Sequence, residues 1–244
     1  MTPTVTRIMR RPARGGSRGR RYLLIIVIVI ALLVVLDFGA RVVAQNIMAT
    51  QIQKQGLPQK PDVSIGGFPF LTQVASKNFQ QVTISTSNLP EGPVTITKVT
   101  VVATGIRLKS YSSASGTITG LSGTVLISFD SLGNTLSQQF GPLGQLLNGA
   151  GLHLTAAGPN EVKASLDLVV TSGSATWRVT RVSGNQLHIG LVGSSGLPSS
   201  LLGSIQSLNV QIPKLPLGLT IDSVKVTPSG VVGHVSGHNV PFGS

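Results

Sequence analysis

The stretch from Leu23 to Leu36 is an unbroken apolar run with Tyr22 at its start and Arg20 and Arg21 directly before it. Positive charge is retained on the cytoplasmic side of a membrane, so the tail before this run is inside and everything after Leu36 is outside. As helix, Tyr22 to Leu36 spans about 22 Å, short of a hydrocarbon core of about 30 Å. Asp37 and Arg41 follow at a spacing that lets them pair on a continuing helix. Phe38, Ala40, Val42, Val43 and Ala44 extend the apolar surface past them. Two readings stay open for residues 22–44. One is an uncleaved transmembrane signal anchor. The other is a signal peptide cut before Gln45, because Val42-Val43-Ala44 resembles a small-residue cleavage pattern.

Charge supports this division. Residues 1–21 carry seven arginines and no acid, so most of the formal net charge of +12 belongs to the tail. A nucleic-acid binder needs a basic stripe on its folded part, whereas Lys and Arg beyond the tail are scattered singly; no nucleic-acid partner is expected. Charged residues make up 11% of the chain and mean hydropathy is +0.33, against about 25% charge in ordinary soluble domains. The expected organisation is a basic cytoplasmic tail at 1–21, the membrane segment at 22–44, a helix and linker at 45–60, and one extracytoplasmic domain at 61–244. Residues 41–56 read as a helix: Val42, Val43, Ile47 and Ile52 recur near helical spacing until Gly56-Leu57-Pro58 ends the pattern.

Beyond the linker the dominant period is two. Val82-Thr-Ile84, Val94-Thr-Ile96, Leu166-Asp-Leu168, Trp177-Arg-Val179, Leu187-His-Ile189, Leu208-Asn-Val210-Gln-Ile212, Leu219-Thr-Ile221 and Val224-Lys-Val226 all alternate. Such alternation marks antiparallel strands with one apolar face. Turns are predicted at Pro90–Pro93, Gly158–Asn160, Ser183–Asn185 and Pro228–Gly230. Three segments have helical spacing instead: Phe68–Phe79, Ser131–Gly149 with a break at Gly141-Pro142, and Leu197–Leu208. The class is α+β. Seven phenylalanines, two tyrosines and one tryptophan leave an aliphatic interior, which suits an acyl chain or an ordinary core equally.

Catalytic patterns are not found. The chain has no cysteine, so thiolate chemistry and cysteine–zinc sites are excluded. The part after the membrane segment has no Gly-x-Ser-x-Gly elbow and no phosphate-cradling glycine loop. His234 and His238 would share a metal only on a helix. The alternation of Val231, Val235 and Val240 puts them on extended chain about 13 Å apart, too far for one zinc ion. No enzyme activity, metal or cofactor is expected.

The block Pro61-Asp-Val-Ser-Ile-Gly-Gly-Phe-Pro-Phe-Leu-Thr-Gln-Val74, followed by Phe79-Gln-Gln-Val-Thr-Ile84, resembles the LmeA-like phospholipid-binding domain family of exported actinobacterial proteins. The segment Ile212-Pro-Lys-Leu-Pro-Leu-Gly-Leu-Thr220 through Gly230 and Val240 is similar to the family's terminal block. The likeness covers roughly residues 40–240. It implies a tubular lipid-binding fold, with a curved antiparallel sheet wrapped around helices over an apolar groove. It also implies binding of phospholipid or a lipid-linked envelope precursor at the outer face of the plasma membrane, in support of envelope lipid or mannan-type glycolipid biogenesis. Glycine richness and low charge set this chain apart, so no headgroup preference carries over.

The residues expected to contact lipid are Phe68, Phe70, Leu71 and Val74 in the Gly-Phe-Pro-Phe-Leu turn and Leu143, Leu146 and Leu147 in the leucine-rich segment. Each also suits a plain core role. Burying a sixteen-carbon chain yields on the order of 10 kcal/mol at about 0.8 kcal/mol per CH₂, before ordering costs. The competing reading is a membrane-tethered structural or interaction protein of an envelope-assembly complex, with no lipid cavity.

Overall fold

The computed structural model describes residues 17–91, 94–139, 152–167, 172–181, 186–196, 207–211 and 218–243. Helix α1 runs without interruption from Ser17 to Lys54. The expected membrane segment and the expected helix after it are therefore one rod. Its length and composition suffice to cross a membrane between Tyr22 and Lys54, and only 6% of its most apolar window is buried. Beyond Leu36 the rod becomes part of the domain: Asp37 and Ala49 are buried, and Ala40, Ala44 and Met48 pack on the main core.

The strands pair into two antiparallel sheets. The first has six strands in the order β1 (Asp62–Gly66), β2 (Asn78–Glu91), β3 (Val94–Ser110), β4 (Ser115–Ser128), β11 (Gly230–Phe242) and β10 (Thr220–Thr227). The second has five in sequence order: β5 (Leu152–Gly158), β6 (Glu161–Asp167), β7 (Ser172–Arg181), β8 (Gln186–Ser195) and β9 (Ser207–Gln211). A backbone bond links the two where the β5–β6 turn meets β10, with the Val226 N–H donating to Pro159 O at 2.8 Å. Two short helices complete the described fold, α2 (Phe70–Ser76) and α3 (Phe129–Gln139).

This corrects the expected architecture. The α+β class stands, but the curved sheet wrapped around helices is not found: each sheet is open, with edges β1 and β10 in one and β5 and β9 in the other. The physical reason lies in the pairing. Alternation specifies which face of a strand is apolar, but not whether the first strand of a sheet meets the last. α1 and α2 pack at the β1–β2 end of the first sheet, and α3 lies against β3 and β4 of the first sheet and β5 of the second.

The core sits where α1 and α2 cover the first sheet. Ile65, Phe70, Phe79, Val82, Ile106, Ile118, Leu121 and Val240 form it. On β2, β3 and β4 these core positions do not keep one period-two register: Phe79 and Val82, like Ile118 and Leu121, are three apart yet face the same core. The slip falls on a single row of the sheet, at Gln80, Gly105, Thr119 and Asn239. Gly105 and Asn239 take positive φ there, 61° and 51°. A Cβ on Gly105 would lie 2.7 Å from Thr119 Oγ1, so glycine meets both the backbone and the space requirement.

The first of the other predicted helices is shorter than expected. α2 ends at Lys77, which adopts left-handed backbone (φ 55°) and closes the helix with its N–H on Gln73 O and Val74 O. Asn78 and Phe79 then belong to β2. α3 opens where Ser128 Oγ accepts the Ser131 N–H at 3.2 Å, a side-chain cap. Gly141-Pro142 and residues 197–206 of the third expected helix lie outside the described residues, and Ser207-Leu208 begins β9.

Candidate lipid-contacting site

The Gly66–Leu71 turn is held from two sides by buried polar groups. On one side Asp37, 4% exposed, reaches from α1 to the start of α2. Its Oδ2 accepts the Phe70 N–H at 2.9 Å and its Oδ1 accepts the Leu71 N–H at 2.7 Å. Both donors belong to the first turn of α2, whose amides have no partner within the helix, so a carboxylate is the group that satisfies them best. Asp37 therefore does not pair with Arg41, as its spacing suggested. Among the described residues the ion pair is Arg178 with Glu161, at 2.6 Å.

On the other side Gln73, 5% exposed, bridges the turn to β2. Its Nε2 donates to Gly66 O at 3.1 Å and its Oε1 accepts the Gln80 N–H at 2.9 Å. The Tyr111 hydroxyl donates to Val74 O, and the Lys77 ammonium lies 5.7 Å from the centre of the Tyr111 ring. The Phe68–Pro69 peptide is cis.

This clamp sorts the turn's apolar side chains into two sets. Phe70 points into the core, 4% exposed, with its ring centre 6.4 Å from that of Phe79. Val74 is half-buried against the same core. Phe68 and Leu71 face outward, 56% and 43% exposed. The Phe68 ring lies 6.3 Å from the ring of Phe38, itself 54% exposed and two residues past the end of the apolar run. Phe38, Phe68 and Leu71 thus make one apolar tip where α1 enters the domain. Leu143, Leu146 and Leu147 lie outside the described residues.

A second apolar surface lies on the first sheet beyond the core. Cross-strand register places Val99, Val125, Gly233 and Val224 in one row of the first sheet, and Val101, Gly123, Val235 and Ile221 in the next. These rows share the face of the core, yet Val99, Val101, Val125, Val224 and Val235 are only half-buried. A side chain at Gly123 would crowd this face: a Cβ there would lie 2.7 Å from Val235 Cγ2. The second sheet has a similar face, with Leu154, Ala164 and Ala175 in one row and Val162, Trp177 and Leu191 in another. Sequence alternation marked most of these strands; it did not separate buried from half-buried positions, which depends on what packs above them.

The chemistry on the polar faces is sparse. β11 is extended through His234 and His238, and His234 Nδ1 is 3.4 Å from Thr124 Oγ1. His188 Nδ1 is 2.8 Å from Asn209 Oδ1. Among the described residues no three His, Asp or Glu side chains gather in a way that could hold a metal.

A family model described as LmeA-like phospholipid-binding matches residues 35–236. Uncharacterized proteins of Mycobacterium tuberculosis and Mycobacterium bovis are each 25% identical to the chain over 221 residues, covering 88% of this chain and 61% of the relative. The chain therefore spans about three-fifths of the length of these relatives. No solved structure matches it.

Proposed function

Because the chain belongs to the LmeA-like phospholipid-binding family, we propose that its domain takes up a phospholipid or lipid-linked envelope precursor at the outer face of the plasma membrane. The observation that carries this reading is apolar surface left uncovered on either side of the packed core. Exposed Phe38, Phe68 and Leu71 stand at the end of the membrane helix, and the half-buried valines of β3, β4, β10 and β11 lie beyond the packed core on the same face of the sheet. Phe68 and Leu71 act as the lip over which an acyl chain leaves the bilayer. Phe70 and Val74 support that lip from inside. Leu143, Leu146 and Leu147 are further contacts in this proposal.

The driving force is transfer of acyl methylenes from water onto aliphatic side chains, about 0.8 kcal/mol for each CH₂ fully covered. That affinity needs no catalytic group, and the protein acts by holding lipid rather than by changing it. The membrane-anchoring helix keeps the domain at the surface it serves, and supply of lipid for envelope lipid or mannan-type glycolipid assembly is the role that follows.

The test is native mass spectrometry of the full chain after exchange into a stripping detergent. A retained adduct of phospholipid or lipid-precursor mass is expected. A chain that emerges free of lipid under conditions that keep it folded would leave the scaffold role instead.

A further inference from the structure

We propose that the membrane-facing end of the domain is seated in the outer leaflet of the bilayer that α1 crosses, with Phe38, Phe68 and Leu71 at hydrocarbon depth and Lys77, Arg107 and Lys109 among anionic headgroups. This goes beyond lipid carriage and holds whether or not the domain carries a lipid.

The argument begins with length. Tyr22 to Leu36 supplies about 22 Å of helix against about 30 Å of hydrocarbon, and roughly twenty residues from Tyr22 are needed to cross. The twentieth is Arg41. Asp37 and Phe38 then fall inside the outer margin of the apolar layer. An unpaired carboxylate there would be costly, but Asp37 is already buried and holds the Phe70 and Leu71 amides. Those bonds fix α2 to α1 at this level, so the α2 turn enters the same layer as Asp37. Phe68 and Leu71 are the side chains that the turn exposes there. The domain thus adds apolar surface at the level where Asp37 interrupts the helix's apolar run, beside the exposed Phe38, Val42 and Val43.

Charge gives a second, independent observation. Register places this end of the sheet at the row of Asn78, Arg107 and Thr117. Lys77, Arg107 and Lys109 are exposed there, and Tyr111 is 50% exposed beside Lys77. Among the described residues the acid at this end is Asp37, already bound to α2. Basic side chains and a tyrosine above an apolar tip are the arrangement that fits an anionic membrane interface.

The chain has no cysteine, so single nitroxide labels can be placed without other changes. Full-length F68C and L71C, with S229C as reference in the β10–β11 turn at the opposite end of the sheet, are reconstituted in phosphatidylcholine–phosphatidylglycerol vesicles. Accessibility to oxygen and to a water-soluble nickel chelate gives depth. The labels at 68 and 71 are expected to be open to oxygen and shielded from nickel, with the reverse at 229. Combining K77Q, R107Q and K109Q is expected to raise nickel access at position 68 by about twofold or more. Labels at 68 and 71 as open to nickel as the one at 229 would overturn the proposal. So would identical depth in vesicles with and without phosphatidylglycerol together with no effect of the triple change, since the basic rim would then be idle.

Discussion

The Asp37 carboxylate accepts the Phe70 backbone N–H at 2.9 Å across 33 residues of sequence, and with the neighbouring bond to Leu71 it ties the end of the membrane helix to the signature turn of the domain. Asp37→Ala removes two charge-assisted hydrogen bonds and leaves two first-turn amides without an acceptor. Each such bond contributes about 1.5–3 kcal/mol, and relaxation returns part of it, so a net loss of about 2–3 kcal/mol is expected. Hydrogen exchange should quicken first at Phe70 and Leu71. Unchanged protection at those two amides would show that the clamp is not holding the turn.

A second consequence concerns processing. Cleavage before Gln45 would remove Asp37, Ala40 and Ala44, the last two of which pack on the main core. The family match also begins at residue 35, upstream of that point. Protein extracted from membranes should therefore retain residues 37–54. Intact mass spectrometry checks this, and a mature chain beginning at Gln45 would contradict it.

The turn's two phenylalanines should separate cleanly on substitution. Phe70→Ala opens a hole in the core and should cost about 3–5 kcal/mol. Phe68→Ala, at a position 56% exposed, should change stability by no more than about 0.5 kcal/mol while weakening lipid uptake. Chemical denaturation of the two variants in the same detergent provides the comparison.

Gly105 marks the row where the strand register slips. Gly105→Val would place a branched side chain at φ 61° and against Thr119, at an expected cost of about 2–4 kcal/mol. The neighbouring exposed position offers a control: Thr104→Val should stay within about 1 kcal/mol. Thermal unfolding distinguishes the two.

Much of the fold could be read from the chain because its signals are local. The apolar run and its arginines specified the membrane helix, and the alternating Val, Ile and Leu pairs marked β2, β3 and β6–β10. β4 was harder to see: Gly116, Gly120 and Gly123 dilute its alternation, and Ile118 and Leu121 fall on opposite sides of the register slip. The partner of Asp37 was illegible because Arg41 sits one helical turn away while the amides that bind it come from residues 70 and 71. Two open sheets in place of one wrapped sheet is likewise a matter of which strand edges meet, a long-range pairing that no single strand encodes. For the site, the turn's sequence pointed to Phe68, Phe70 and Leu71 together; only packing shows that Phe70 faces inward and the other two outward.

The central claim is that lipid rests on the domain and not merely around its helix. Photocrosslinking with a phospholipid carrying a diazirine on its acyl chain, applied to the full chain in membranes and mapped by peptide mass spectrometry, tests it most directly. Adducts on β3, β4 and β11, in the peptides spanning 94–110, 115–128 and 230–242, are expected in addition to those on α1. Adducts confined to residues 22–44 would contradict the account and leave the domain a tethered scaffold.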